Sequence, residues 1–196
     1  MNQDWKLIQT WAGVAADGIP GPATARGIIA KAGLKPVETA PATGLKPSLV
    51  RGTGKGIQRI FIHCTATREG QDIDAATIRG WHRRQGWHDI GYHFVIRLDG
   101  TIERGRPEDQ VGSHVAGWNT GSIALVYAGG LDSQGKPKDT RTPAQLRAMA
   151  QLCRDLLAAY PGVRLMGHRD VWSTPDKWLK DCPCFDVAQW WEGARP

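Results

Sequence analysis

Residues 122–128 read Ser-Ile-Ala-Leu-Val-Tyr-Ala, an apolar run suited to a buried strand at the centre of a sheet. Downstream, Thr142-Pro143-Ala144-Gln145 is a capping box with proline at the first helical position. Beyond it, Leu146, Met149, Ala150, Cys153, Leu156, Leu157 and Tyr160 recur at helical spacing. That pattern predicts one long helix with a single apolar face. Burying each leucine of that face is worth roughly 1.5–3 kcal/mol. Upstream, Gln58–His63 (QRIFIH) is β-rich, and Asp74–Gln85 reads as a helix stopped by Gly86. His93–Arg97 (HFVIR) is a strand, Asp99-Gly100 a hairpin signal and Thr101–Arg104 its partner. Val163–Gly167 is a further short strand. The predicted class is α/β: a central mixed β-sheet flanked by helices.

The N-terminal zone is different. Trp5, Leu7, Ile8, Trp11 and Ala12 recur at roughly helical spacing, and Asp17-Gly18-Ile19-Pro20-Gly21-Pro22 is a strong turn signal. Pro22 can start a second helix through about Lys31, with Gly33 as its stop. So short a unit buries little apolar surface alone and should lean on something else. Residues 34–56 contain three Pro, four Gly and four bases (Lys35, Lys46, Arg51, Lys55) against Glu38, which is linker composition. The expected organisation is a small helical unit over 1–33, a basic Pro/Gly linker over 34–56 and the main domain over 57–196.

The chain has 196 residues, 41% hydrophobic and 22% charged, which excludes disorder throughout. It lacks the run of about 18 apolar residues a membrane-spanning helix needs. The opening MNQDWKLIQTW carries Asp4 and no long apolar stretch, so no secretory signal is expected. Net charge is +6, and half of that excess lies in residues 34–56. This fits weak attraction to a polyanion better than a basic folded face, so no nucleic-acid partner is expected. The four cysteines (Cys64, Cys153, Cys182, Cys184) do not have the spacing of a dense disulfide scaffold. Reduced thiols are the default without a signal, and some of them can be metal ligands.

Two of the six histidines stand out by position: His63 ends the first strand and His168 follows the last. If those strands run side by side in one direction, both imidazoles emerge at the carboxyl rim of the sheet, where sites form. Downstream lies Lys180-Asp181-Cys182-Pro183-Cys184-Phe185-Asp186. Pro183 favours extended backbone at Cys182, which sends Lys180, Cys182 and Cys184 to one side and Asp181 to the other. A thiolate beside an ammonium is favoured by charge. Two histidines and one thiolate make a known catalytic zinc set with a fourth position left for water. Spacing leaves open whether Cys182 or Cys184 is the third ligand, and whether a cysteine acts instead as a nucleophile with His168.

The stretches IFIHCTAT (60–67), IRGWHRRQGWHDIGYHFVIRLDGTIERGR (78–106), VGSHVAGWNTGSIA (111–124), GHRD (167–170) and KDCPCFD (180–186) resemble the type 2 N-acetylmuramoyl-L-alanine amidases, including the short bacteriophage enzymes. Peptidoglycan recognition proteins share that fold. The resemblance covers roughly residues 57–192. It implies one zinc ion on His63, His168 and Cys182, with Tyr92 and Lys180 as the catalytic pair. The reaction implied is cleavage of the amide between the lactyl group of N-acetylmuramic acid and L-alanine. Zinc would activate a water. Lys180 and the Tyr92 hydroxyl would stabilise the oxyanion, and Tyr92 could pass a proton to the leaving amine. Thr65, His114 and Asn119 are the candidate substrate-binding residues.

There are two departures from the pattern. Some branches carry a glutamate on the central strand as general base, and Ile123–Tyr127 offers no carboxylate. Base work then falls to Tyr92, to the activated water or to another group. The step from His168 to Cys182 is long, which suggests an inserted loop over Val171–Leu179 holding Trp172 and Trp178. The N-terminal zone has its own echo. Asp17, Gly18, Gly21 and Thr24 match the DGxxGPxT signature of small peptidoglycan-binding modules, although ordinary turn chemistry could produce it.

Other residues have blander readings. Cys64 is expected as buried filler, Cys153 on the core face of the long helix, and Cys184 beneath Phe185. His93 is expected to be structural, His82 and His88 to be solvated, and Trp190 and Trp191 to lie in the core or at its rim. The functional expectation is a monomeric phage endolysin that accumulates in the host cytoplasm and then acts on the cell wall, with peptidoglycan as its partner and no membrane insertion. The rivals are a non-catalytic wall-binding protein and a regulator that contacts a phage RNA polymerase.

Overall fold

The computed structural model describes residues 3–14, 16, 22–33, 56–171 and 181–194. The chain divides into two compact units, one of residues 42–188, the other of residues 1–41 together with 189–196.

In the larger unit five strands form one sheet in the order β4-β3-β5-β1-β7. They are β1 (Arg59–Cys64), β3 (Phe94–Ile96), β4 (Ile102–Arg104), β5 (Ser122–Tyr127) and β7 (Arg164–Gly167). The apolar run at 122–128 supplies the central strand, and every residue of β5 is buried. Its neighbours β3 and β1 are parallel to it, and β7 is parallel to β1. Only β4 runs against its neighbour, returning from β3 through the Asp99-Gly100 turn. There Gly100 takes φ +87°, and the Asp99 carboxylate accepts from the Thr101 amide at 2.8 Å. A separate parallel pair joins β2 (Thr67–Arg68) to β6 (Gly130–Leu131).

Helices cover both faces. α3 (Ala75–Arg84) is capped by Asp74, whose carboxylate accepts from the Thr77 amide at 2.7 Å. Its Ala75 and Ile78 pack against Val95 of β3 and Val126 of β5. Alternation along β1 puts Phe61 on that same face, where it meets Val115 and Val171. Tyr127 faces the other way, and α4 (Pro143–Ala159) lies on that side.

The buried face of α4 is rotated slightly from the one its leucines suggest. Met149, Ala150, Cys153, Leu156 and Tyr160 are buried as expected, but Ala148 and Leu152 join them while Leu146 and Leu157 lie at the margin. Gln145 accounts for the rotation. Its carbonyl accepts from the Thr142 amide at 3.0 Å and closes the capping box. Its amide then donates to Ile96 O at 3.2 Å and Ala128 O at 2.9 Å. One fully buried side chain thus caps a helix and satisfies the ends of two strands.

In the smaller unit α1 (Gln3–Ala12) and α2 (Pro22–Lys31) are joined by a buried hydrogen bond from Gln9 Nε2 to Thr24 Oγ1 at 2.9 Å. Thr24 is 3% exposed. Its hydroxyl is turned inward and ties the two helices together. Leu7 and Trp11 on α1 are exposed, at 70% and 52%.

Replacing Gln145 with leucine (Gln145→Leu) should lower unfolding free energy by about 1–3 kcal/mol, because buried Ala128 O loses its side-chain donor while Ile96 O retains the Ala128 amide. Urea denaturation measures this, and a loss under about 1 kcal/mol would mean that another donor reaches Ala128 O.

Candidate active site

The site begins with strand register. Ile62 of β1 stands opposite Gly167 of β7, so the next residues, His63 and His168, leave adjacent strand ends side by side. Their ring centroids are 4.7 Å apart. The parallel pairing that the two strand-end histidines suggested is therefore present.

The cysteine segment differs from expectation. It forms a turn rather than an extended stretch, with a cis Cys182–Pro183 peptide and φ +69° at Cys184. The two sulfurs consequently diverge. Cys182 Sγ lies 3.8 Å from His63 Nδ1 and accepts from the Cys64 amide at 3.4 Å. Cys184 Sγ lies 3.8 Å from Cys64 Sγ and donates to Gly130 O at 3.1 Å. The Phe185 ring carries the Arg141 guanidinium 3.2 Å from its centroid. The hydrogen bond with Cys182 and then burial push the Cys64 thiol pKa up, and the hydrogen bond with Cys64 and then burial push up that of Cys184. Gly130, at φ +103°, leaves room for this sulfur pair, since a Cβ there would lie 2.5 Å from Cys64 Sγ. The turn is anchored by Tyr127 Oη donating to Pro183 O at 2.7 Å and by the Arg169 amide donating to Cys182 O at 2.8 Å.

One donor atom each from His63, His168 and Cys182 lies within 4.8 Å of the other two. Tetrahedral zinc with bonds near 2.0–2.3 Å places its ligand atoms roughly 3.3–3.8 Å apart. The cluster therefore fits such an ion with a contraction of about an ångström, and two imidazoles with a thiol are a suitable donor set. Burial lowers the pKa of both histidines, with neighbouring rings adding to the effect at His63, so both stay neutral and keep a lone pair to donate.

Around the cluster opens a cavity of about 510 Å³, lined among others by Tyr92, Trp81, Trp87, Leu131 and Pro137. Tyr92 is half-buried, its ring 5.2 Å from that of His63, and burial first, then the Cys182 and Cys64 sulfurs, pushes its hydroxyl pKa up. Asp181 also lines the cavity rather than projecting away, and it is the one carboxylate there among the described residues.

The expected substrate contacts have mostly internal partners. His114 Nδ1 lies 3.2 Å from His63 Nε2, and His114 Nε2 lies 3.1 Å from Ser122 Oγ. Asn119 Oδ1 accepts from the His114 and Val115 amides, both at 2.8 Å, and so shapes the loop. Thr65 lines the cavity, and its hydroxyl accepts from the Gly129 amide at 2.9 Å. The His114 loop lies tight against Gly91, where a Cβ would collide with Ser113 O.

His93 is structural as read: Nδ1 accepts from the Ala124 amide and Nε2 lies against Gln110 O, each at 3.0 Å. His82 is not solvated. It is buried, accepts from the Gly91 amide at 2.9 Å, and its ring lies 5.6 Å from Tyr92. The polar sequence around it hid the fact that it sits on the inner face of α3. Ser122 was also missed, because a serine opening an apolar strand gives little sign of a partner across the sheet rim. Lys180, Trp172, Trp178, Asp17, Gly18 and Gly21 lie outside the described residues.

Comparison with known proteins matches this architecture. Residues 53–185 fit the family model for N-acetylmuramoyl-L-alanine amidase. An endolysin of Klebsiella phage KP32 is 48% identical over 134 residues, covering 68% of this chain and 85% of that protein. An endolysin of Escherichia phage T7 is 47% identical over 133 residues, covering 68% and 84%. The solved N-acetylmuramoyl-L-alanine amidase LysC from Clostridium intestinale URNW superposes with a TM-score of 0.54 at 34% identity, covering 65% of this chain and 76% of its own. The chain belongs to the N-acetylmuramoyl-L-alanine amidase family. Its reaction is hydrolysis of the amide between N-acetylmuramic acid and L-alanine, and its substrate is peptidoglycan.

Acid should destabilise the metal-free fold. His63, His82, His93, His114 and His168 all have pKa values lowered by burial. The unfolded chain takes up protons near its ordinary histidine pKa of about 6.5, before the folded chain does. Stability is therefore present above that pH and is lost progressively below it. Urea midpoints of chelator-treated protein should fall from pH 7.5 to pH 5, and a flat profile would mean that these rings ionise freely in the fold.

Proposed function

We propose that His63, His168 and Cys182 hold one zinc ion, and that the chain acts as a phage endolysin cutting peptidoglycan during host lysis. The observation that carries this reading is the convergence of two imidazoles and one sulfur in a cavity of about 510 Å³. Zinc, when bound, acidifies water enough to attack a carbonyl near neutral pH and polarises that carbonyl.

The chain's own residues do the rest. Tyr92 keeps its proton, because burial disfavours the phenolate, and so can donate a hydrogen bond to the oxyanion or a proton to the departing amine. Lys180 is the proposed second oxyanion donor. Val126 stands opposite His63 in register, so β5 brings no carboxylate to that rim. Trp81, Trp87 and Pro137 give the groove an apolar wall against which the lactyl-peptide can be held. The helical unit of α1 and α2 is the proposed wall-binding element, with exposed Leu7 and Trp11 on its surface.

Digestion of purified peptidoglycan should release new amino groups on L-alanine and no new reducing sugar ends; the reverse would make the chain a glycosidase. Cys182→Ser should lose both metal and turnover, the latter by more than about 100-fold, and zinc should restore chelator-treated wild type. Full activity in Cys182→Ser would remove the metal assignment. Tyr92→Phe should lower kcat by roughly 100-fold with little change in KM, as expected for a donor acting in the transition state. Leu7→Ser with Trp11→Ser should weaken sedimentation with intact walls while sparing cleavage of soluble muropeptides; unchanged sedimentation would relieve the helical unit of a wall-binding role.

A further inference from the structure

The hydrogen bonds behind His63 form a chain whose direction is set at its far end. Ser122 Oγ donates to Asn119 O at 2.8 Å. A serine hydroxyl has one proton, so towards His114 Nε2, 3.1 Å away, Ser122 can only accept. His114 therefore carries its proton on Nε2, and its Nδ1 is an acceptor. The partner of that Nδ1 is His63 Nε2 at 3.2 Å, which must be the donor. This leaves the lone pair of His63 on Nδ1, the nitrogen that faces Cys182 Sγ at 3.8 Å. The loop carrying His114 is held in turn by Asn119 Oδ1, which accepts from the His114 and Val115 amides.

We propose that His114 is a positioning residue: with Ser122 and Asn119 it fixes the proton of His63 on Nε2, so that Nδ1 points its lone pair at the space shared with His168 and Cys182. The proposal rests on the metal-site reading of His63, and it gives His114 a task other than touching substrate. A metal-bound imidazole whose second nitrogen is held by a hydrogen bond has its ring orientation and basicity set before the ion arrives.

The test reads tautomers and affinity, not only turnover. Long-range ¹H–¹⁵N spectra of the metal-free, ¹⁵N-labelled full chain at neutral pH should show both His63 and His114 protonated on Nε2. Proton occupancy on Nδ1 of His63 would overturn the proposal. Zinc affinity is then measured by competition with a chromophoric chelator. His114→Ala should weaken it by about 10–100-fold and let His63 populate both tautomers. His114→Asn places an amide oxygen near the lost Nδ1 and should restore most of the affinity, whereas His114→Gln, which extends towards the Nε2 position, should not. Equal loss in Asn and Ala variants, or none in either, would sink the relay. Ser122→Ala is a milder variant that keeps the loop and should release the His114 tautomer. If the unaltered chain fails to bind zinc, the metal assignment fails, and the spectra of the metal-free protein still decide the hydrogen-bond direction.

Discussion

The parallel pairing of β1 with β7 is the constraint on which the rest depends. Because Ile62 faces Gly167, His63 and His168 emerge together where the two strands end. A slip of one residue would turn one of the two rings to the opposite face of the sheet. The pairing is held from both sides of β1. β5 runs alongside it through six register pairs, and every residue of β5 is buried. A fully buried apolar strand thus fixes the strand that carries His63.

The third donor reaches the cluster by a different route. Cys182 comes from a turn 119 residues after His63, and three backbone ties hold that turn: Tyr127 to Pro183, Arg169 to Cys182, and the Cys64 amide to the Cys182 sulfur. Tyr127 ends the central strand and Cys64 ends β1, so the strand that presents His63 and its neighbour β5 also grip the turn. Cys64 is more than filler, because its backbone supports one sulfur while its own thiol lies against another.

Three buried polar side chains around the sheet find partners from other segments. Gln145 closes the carbonyls of Ile96 and Ala128. His93 bridges the Ala124 amide and Gln110 O. Buried Arg106 donates to Ile90 O at 3.0 Å and also to Val111 O. Each ties together segments distant in sequence, and an unpaired group at any of these places would cost about 1–3 kcal/mol.

Strand and helix identity were legible in the chain itself, since periodicity and capping are local: the 122–128 run, the Thr142 box and the Asp99-Gly100 turn each became the element they signalled. So did the strand-end placement of His63 and His168, because position within a strand is local too. What only the tertiary structure decided was direction and partnership. Extended geometry before Pro183 would have aimed both cysteines one way, yet anchors from distant strands bent the segment and separated the sulfurs. His114 looked like a groove residue and His82 a surface one, yet their partners, His63 with Ser122 and the Gly91 amide, come from other elements. A hydrogen-bond partner brought in from across the sheet leaves no periodic trace in sequence, so those roles became visible only once the strands were in register.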